Sequence, residues 1–150
     1  MSLQETLAGA MKDAMRSKQS ARLGVIRMLR SAIKNAEIER KHELEDEDII
    51  SLLATQVKQR RDSAQAFRDG GREDLAQKEE AEIVVLQEFM PEPLSTEEID
   101  EIIQTVVHEL NATSMQDMGK VMQQVSAATR GRAEGRVVSD MVKQRLARTN

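Results

Sequence analysis

The sequence contains no cysteine, tryptophan or tyrosine, and its only aromatic residues are Phe67 and Phe89. Without cysteine there can be no disulfide framework, thiolate zinc site or cysteine nucleophile. Without exposed aromatics there is no base-stacking platform of the kind that RNA-recognition and OB modules use. Strands lean on aromatic and β-branched residues. Their scarcity here, beside abundant Ala, Leu, Met, Glu, Lys, Arg and Gln, predicts an all-α protein. No apolar run approaches the ~20 residues of a membrane span, and the N-terminus has no signal-peptide h-region, so the expectation is no membrane partner and a cytoplasmic location.

What is present is charge, unevenly spread. The net charge of −4 hides three blocks. From Lys12 to Lys41 there are nine Lys/Arg against three Asp/Glu; from His42 to Glu101, six against eighteen; from Asn111 to Asn150, seven against three. Two basic ends flank an acidic middle, an asymmetry that can orient a protein on an anionic partner.

The 150 residues suffice for one large or two small domains with a buried core. Ser2 and Glu5 form a capping box, and Leu3, Leu7, Ala10, Met11 and Ala14 follow at helical spacing to an end near Ser17. A second helix, about Ser20 to Lys41, carries Ile26, Leu29, Ile33 and Ala36 on one face and Arg27, Arg30, Lys34 and Lys41 on another. Glu45 to Asp48 place carboxylates at the start of a third, where they favour the helix dipole. It runs through Ile49, Leu53, Val57, Ala64 and Phe67 to the stop at Gly70-Gly71. A fourth resumes at Arg72 and continues to Met90. Pro91 and Pro93 must end it, since each lacks a backbone donor and biases the preceding residue away from helix. Ser95 and Glu98 form another capping box, with Leu94 and Ile99 as its hydrophobic staple. That helix stops at Asn111. Ser114 and Asp117 start the next, and Ser139 is the expected cap of the last. The reading is a four-helix N-terminal domain over 1–90, a stiff Pro-x-Pro hinge over 91–94, and a three-helix C-terminal domain over 95–150.

No catalytic constellation emerges. His42 and His108 form no metal-ligand pair, the acids at 45–48 lack the spacing and glycine of a calcium loop, and there is no G-x-S-x-G elbow or phosphate loop. Glu79 and Glu82 share a helical face and read as salt-bridge partners for the basic second helix. The expectation is no catalytic residue, no cofactor and no metal. The chemistry-bearing stretch that remains is Asp117-Met118-Gly119-Lys120 followed by Arg130-Gly131-Arg132-Ala133-Glu134-Gly135-Arg136. There the glycines let backbone and guanidinium groups come close to a polyanion. The plainer reading of the same stretch is a solvated connector between packed helices.

Several motifs coincide with one family. Arg27 to Glu39 resembles the second-helix signature of the YqeY-like proteins, and Gly71-Arg72 through Asp74-Leu75-Ala76, Lys78-Glu79 and Glu82 resembles their fourth-helix signature. Phe89-Met90-Pro91 with Leu94-Ser95 resembles the family's aromatic-Leu-Pro hinge, and the Gly119 to Arg136 stretch resembles its C-terminal motif. The resemblance spans essentially the whole chain. The architecture is also similar to the tail of GatB, the B subunit of tRNA-dependent amidotransferases, which are carbon–nitrogen ligases with glutamine as amido donor. This resemblance implies a tRNA-facing surface without the kinase and glutaminase parts. The implied contacts are Lys120, Arg130, Gly131, Arg132, Arg136 and Lys143, and the implied partner is tRNA or another structured RNA, with a translation-associated protein as a further candidate. Gln123 stands where the family often has glycine; Glu134 and Arg136 replace the commoner Asp and Lys with charge kept. Two alternatives stand beside this noncatalytic RNA-binding module. One is a protein-interaction adaptor working through the acidic middle, the other a subunit or accessory factor of the amidotransferase.

Overall fold

The structure, a computed structural model, describes residues 1–148. It is all-helical among these residues: α1 (Leu3–Arg16), α2 (Ser20–Arg40), α3 (Asp46–Asp69), α4 (Glu73–Gln87), α5 (Thr96–Leu110), a 3₁₀ turn (Met115–Asp117), α6 (Met118–Thr129) and α7 (Gly135–Arg148). The chain divides into two compact units, Met1–Pro91 and Glu92–Asn150. No helix among the described residues is long and apolar enough to cross a membrane.

The first unit is organised by the α3–α4 hairpin. α3 closes in a Schellman arrangement: Gly71 takes φ +77°, its N–H donates to Arg68 O at 3.1 Å, and Arg72 N–H donates to Phe67 O at 2.7 Å. Only glycine adopts that φ without steric cost, so the pair Gly70-Gly71 both stops α3 and reverses the chain. α4 ends at Gln87, earlier than Met90. Its exit tightens into successive three-residue bonds, Glu88 N–H to Val85 O, Phe89 N–H to Leu86 O and Met90 N–H to Gln87 O. Such tightening satisfies donors ahead of a proline that cannot extend the helix. α1 and α2 lay Leu7, Ile26, Leu29 and Ile33 against Ile49, Leu53, Ile83 and Leu86, all buried. The Leu44 loop is fixed from α2. Glu37 accepts Leu44 N–H at 2.8 Å and Gln4 Nε2 at 3.0 Å through one carboxylate oxygen.

The ion pairs of this unit differ from the expected pattern. Glu79 and Glu82 pair with Arg60 of α3 instead of the basic face of α2; the Arg60–Glu79 separation is 3.5 Å. The cause is topological. A hairpin reversing at Gly70-Gly71 sets residue 60 opposite residue 81, and the two glutamates bracket that position. The same mirror places Arg68 opposite Glu73, where they meet at 2.8 Å.

In the second unit Ser95 accepts Glu98 N–H at 3.1 Å while Glu98 accepts Ser95 N–H at 3.1 Å, the reciprocal capping box of α5. Asn111 ends α5 in the left-handed region at φ +51°, with Ala112 N–H donating to Val107 O at 3.0 Å. The core is Ile99, Ile103, Val106, Val107, Val121, Val125, Val138, Val142 and Leu146 with Ala112. Glu92 to Leu94, read from sequence as part of a hinge, are bonded within this unit: Leu94 N–H donates to Arg132 O at 2.7 Å, and Arg132 Nε donates to Glu92 O at 3.1 Å.

Candidate nucleic-acid interface

α6 is entered through a capping box at Ser114, whose hydroxyl accepts Gln116 N–H at 3.3 Å. Asp117 closes it by accepting the N–H of Thr113 at 2.9 Å and of Ser114 at 3.3 Å. Those backbone N–H groups, Thr113's first, hold the Asp117 carboxyl below the ordinary aspartate range, with the nearby Lys120 cation contributing least. Met118, Val121, Met122 and Val125 turn towards the core, which leaves Gly119, Lys120, Gln123 and Gln124 exposed. A Cβ added at Gly119 would meet nothing within 4 Å, so packing within the chain does not require a glycine there. Glycine in a helix costs about 1 kcal/mol relative to alanine, and here that cost leaves the backbone open to approach from outside.

α6 ends at Thr129, a buried polar residue whose hydroxyl donates to Val125 O at 2.9 Å. Arg130 leaves the helix at φ −57°, ψ 129° and is exposed. Gly131 is buried and takes φ +78°, which makes it the turning point of the loop. Arg132 N–H returns to Thr129 O at 2.9 Å. Its bonds to Glu92 and Leu94 make Arg132 a half-buried strut, and Gly131 a geometric element; neither is a free-standing contact.

α7 begins at Gly135, earlier than the Ser139 cap expected from sequence. Val138 N–H donates to Glu134 O at 3.1 Å, so the first turn is already closed there, and Ser139 lies inside the helix, half-buried. The start has to come early because Val138 belongs to the buried face with Val142 and Leu146. Arg136 and Lys143 are seven residues apart on one exposed face, with the exposed Asp140 between them.

Four of the six expected contacts, Lys120, Arg130, Arg136 and Lys143, are thus exposed, and no ion pair or hydrogen bond engages their side chains among the described residues. None of the four lines either of the two cavities described among these residues. Lys120 and Arg130 stand at opposite ends of α6, about 15 Å apart along its axis at 1.5 Å per residue. A spread of that length suits successive phosphates of a polymer better than one small anion. The cavity described in this unit, about 320 Å³, lies elsewhere, between Thr96, Glu97 and Asp100 of α5 and Met141, Gln144 and Arg145 of α7, with walls of opposite charge. Among the described residues no group of three or more His, Cys, Asp or Glu side chains is arranged to hold a metal.

Sequence reading identified Glu79 and Glu82 as salt-bridge partners but assigned them to α2 and missed Arg60. Their signal was the mirror symmetry about Gly70-Gly71, which pairs positions too far apart in sequence for helical spacing to reveal.

Three relatives and one family profile bear on identity. A Pyrenophora tritici-repentis protein named "Altered inheritance of mitochondria protein 41, mitochondrial" is 35% identical over 129 residues, spanning 85% of this chain and 71% of the relative. A protein of the same name from Eremothecium gossypii is 37% identical over 126 residues, covering 79% of this chain and 67% of its own length. Another from Saccharomyces cerevisiae strain YJM789 is 34% identical over 107 residues, covering 69% and 58% respectively. These names correct the cytoplasmic expectation, since they point to the mitochondrion. The expectation failed because an organelle address is read by receptors and is not encoded in the composition of a folded helical core. The sequence profile described as "Yqey-like protein" matches residues 4–146, and the chain belongs to that family.

Proposed function

We propose that the chain is a noncatalytic module that grips structured RNA, tRNA foremost, by its phosphates, through the C-terminal unit. The observation that carries this reading is the pair Arg130 and Arg136. Both are exposed and without a carboxylate partner among the described residues, and they stand on either side of a loop fixed by Gly131 and Arg132. Lys120 and Lys143 extend the same charge along α6 and α7. With no aromatic in this unit, recognition rests on backbone and shape, without base stacking. Asp140, one turn from both Arg136 and Lys143, thins the positive field on α7 at each of them.

The adaptor reading loses support because much of the acidic middle is occupied internally. Glu73 and Glu80 hold Arg68, Glu79 and Glu82 hold Arg60, and Glu88 holds Arg22. A link to tRNA-dependent amidotransferases rests on the likeness to the GatB tail. In that setting this chain would present tRNA, and other subunits would supply the amide chemistry.

The test is a filter-binding titration of tRNA, organellar tRNA included given the relatives' names, over a series of salt concentrations. The expected log–log slope is about −2 to −4, for two to four phosphates neutralised, and it should fall by about 1 for each cation removed. Arg130→Glu with Arg136→Glu, leaving the strut Arg132 in place, should abolish binding at physiological salt. A flat salt response, or unchanged affinity in that double variant, would overturn the proposal.

A further inference from the structure

Helix α2 carries two seams. Ile26, Leu29 and Ile33 face the core of the first unit and are buried. On the opposite side of the helix Ala21, Gly24, Met28, Ser31, Asn35 and Ile38 recur at alternating spacings of three and four residues, and all six are exposed. A stripe with that spacing keeps to one line along a helix and is the pattern by which helices pair in a coiled coil. The two large apolar side chains that α2 exposes, Met28 at 57% and Ile38 at 67%, both fall in it. Apolar residues scattered singly over a surface are ordinary. Two in one seam, among small neighbours that let another backbone come close, point to a covered face. A Cβ built at Gly24 would meet nothing within 4 Å, so the space over it is open. Lys34 and Glu39 beside the seam, and Asn35 within it, take part in no side-chain hydrogen bond or ion pair among the described residues.

The charges beside the seam choose the occupant. At 3.6 residues per turn Arg27 and Lys34 flank it on one side and Glu39 on the other. When two copies of α2 lie parallel and in register, opposite flanks meet. Lys34 then reaches the partner's Glu39, five residues further on, and the two-fold axis makes that contact twice. When they lie antiparallel, like flanks meet, and the Arg27 and Lys34 side of one copy is repelled by the same side of the other. In the parallel pair Asn35 stands beside the partner's Asn35, and each amide can donate to and accept from the other. One such asparagine in a seam specifies register and the number of strands, at a cost in stability. We infer that α2 docks a second copy of this chain, parallel and in register, through the seam from Ala21 to Ile38. The seam covers about 25 Å of helix at 1.5 Å per residue, with two large apolar anchors from each copy. An interface of that extent gives a dimer that dissociates on dilution. The inference stands apart from the C-terminal RNA reading.

The test is the mass of the full chain in solution, by sedimentation equilibrium over about a thousandfold range of concentration that reaches ~1 mM. The expected result is a reversible rise from 16.9 kDa towards twice that value. Met28→Glu with Ile38→Glu should abolish the rise. Lys34→Glu should weaken association about tenfold or more, because two attractive contacts turn repulsive, and adding Glu39→Lys should restore it. All four positions are exposed, so the circular dichroism of the monomers should stay unchanged. Direction is read with single cysteines placed in this cysteine-free chain. Gly24→Cys and Ser31→Cys should each form a disulfide to its own mate in a glutathione redox buffer, since a parallel pair in register brings each position against itself. An antiparallel pair can do so at one position only. The inference is overturned if the chain stays monomeric at the highest concentration, or if the dimer survives Met28→Glu with Ile38→Glu. It is equally overturned if Glu39→Lys fails to restore association to Lys34→Glu, or if only one of the two cysteines crosslinks. Arg130→Glu with Arg136→Glu should leave the association intact, so failure here and failure of the C-terminal reading are told apart.

Discussion

In the first unit Arg22, Arg60, Arg68 and Arg72 each face a carboxylate, at Glu88, at Glu79 and Glu82, at Glu73 and Glu80, and at Asp74. In the second, Lys120, Arg130, Arg136 and Lys143 face solvent without such partners among the described residues. The cores differ as well. Leucine and isoleucine dominate the first, and valine the second. Part of the charge in the first unit is therefore structural, with Arg60 and Arg68 tying α3 to α4, whereas these four cations of the second are left available. The net charge of a segment says little about function until the internally paired part has been subtracted.

The strongest way to probe this contrast is through the cores. Leu29 is fully buried, and Leu29→Ala should cost about 2–5 kcal/mol. Val125 is also fully buried but loses fewer methyl groups, so Val125→Ala should cost about 1.5–3 kcal/mol. Amide hydrogen exchange, read separately in α2 and α6, measures each loss in its own unit. Equal losses would mean that side-chain size does not distinguish the two cores.

Next in size is the Arg60 cluster. Its three side chains are 14%, 22% and 20% exposed, so Arg60→Ala leaves two largely shielded carboxylates facing each other without a cation. Breaking a fully buried pair costs about 3–5 kcal/mol; partial exposure lowers the expectation here to about 2–3 kcal/mol. The reverse variant, Arg60→Met with Glu79→Gln and Glu82→Gln, should recover most of that. A urea midpoint for each variant provides the check, and an unmoved midpoint in Arg60→Ala would place Arg60 outside the stabilising framework.

Gly131 tests the second unit where it is most constrained. At φ +78° an alanine would incur a left-handed penalty of about 1–2 kcal/mol. Because Arg132 is bonded to Glu92 and Leu94 just beyond, Gly131→Ala should also loosen the 92–94 segment. Faster exchange of the Leu94 amide, with the first unit unaffected, is the expected readout.

These sites also show what sequence could reveal. Local signals were legible: the Ser2 cap (without the return bond from Glu5), the Ser95 capping box, the helix start at Ser114 and Asp117, the Gly70-Gly71 stop and the Asn111 end are side-chain or φ preferences acting within a few residues. The start of α7 was not. Ser139 is a good cap by type, but burying Val138 is worth more than using a serine, and the helix begins before it. The role of Arg132 was hidden too, because a carbonyl acceptor 40 residues away in sequence has no side-chain signature. Sequence marked Arg130, Arg132 and Arg136 alike; that Arg132 is bonded to the 92–94 segment while Arg130 and Arg136 are exposed depends on contacts it does not display.

The smallest expected effect separates the two kinds of electrostatics most directly. The Glu73 carboxyl lies below the ordinary glutamate range chiefly through its bond to the Arg68 guanidinium, whereas Glu98 lies below it chiefly through the Ser95 backbone N–H. For a carboxyl depressed by folding, the stabilisation is full above the unfolded-state value and is lost as pH falls through the folded-state value, so both sites favour the fold at neutral pH and cease to do so in acid. Salt should tell them apart. At about 1 M ionic strength the Debye length is ~3 Å, which weakens an exposed ion pair, while a backbone donor fixed by helix geometry keeps its position and dipole. An NMR pH titration of both carboxyls at low and high salt should therefore show Glu73 moving up towards the ordinary range and Glu98 moving less. A parallel shift of the two would mean that the Ser95 cap acts mainly through long-range charge, Arg132 included, and the distinction between paired charge in one unit and backbone-held charge in the other would fail at this point.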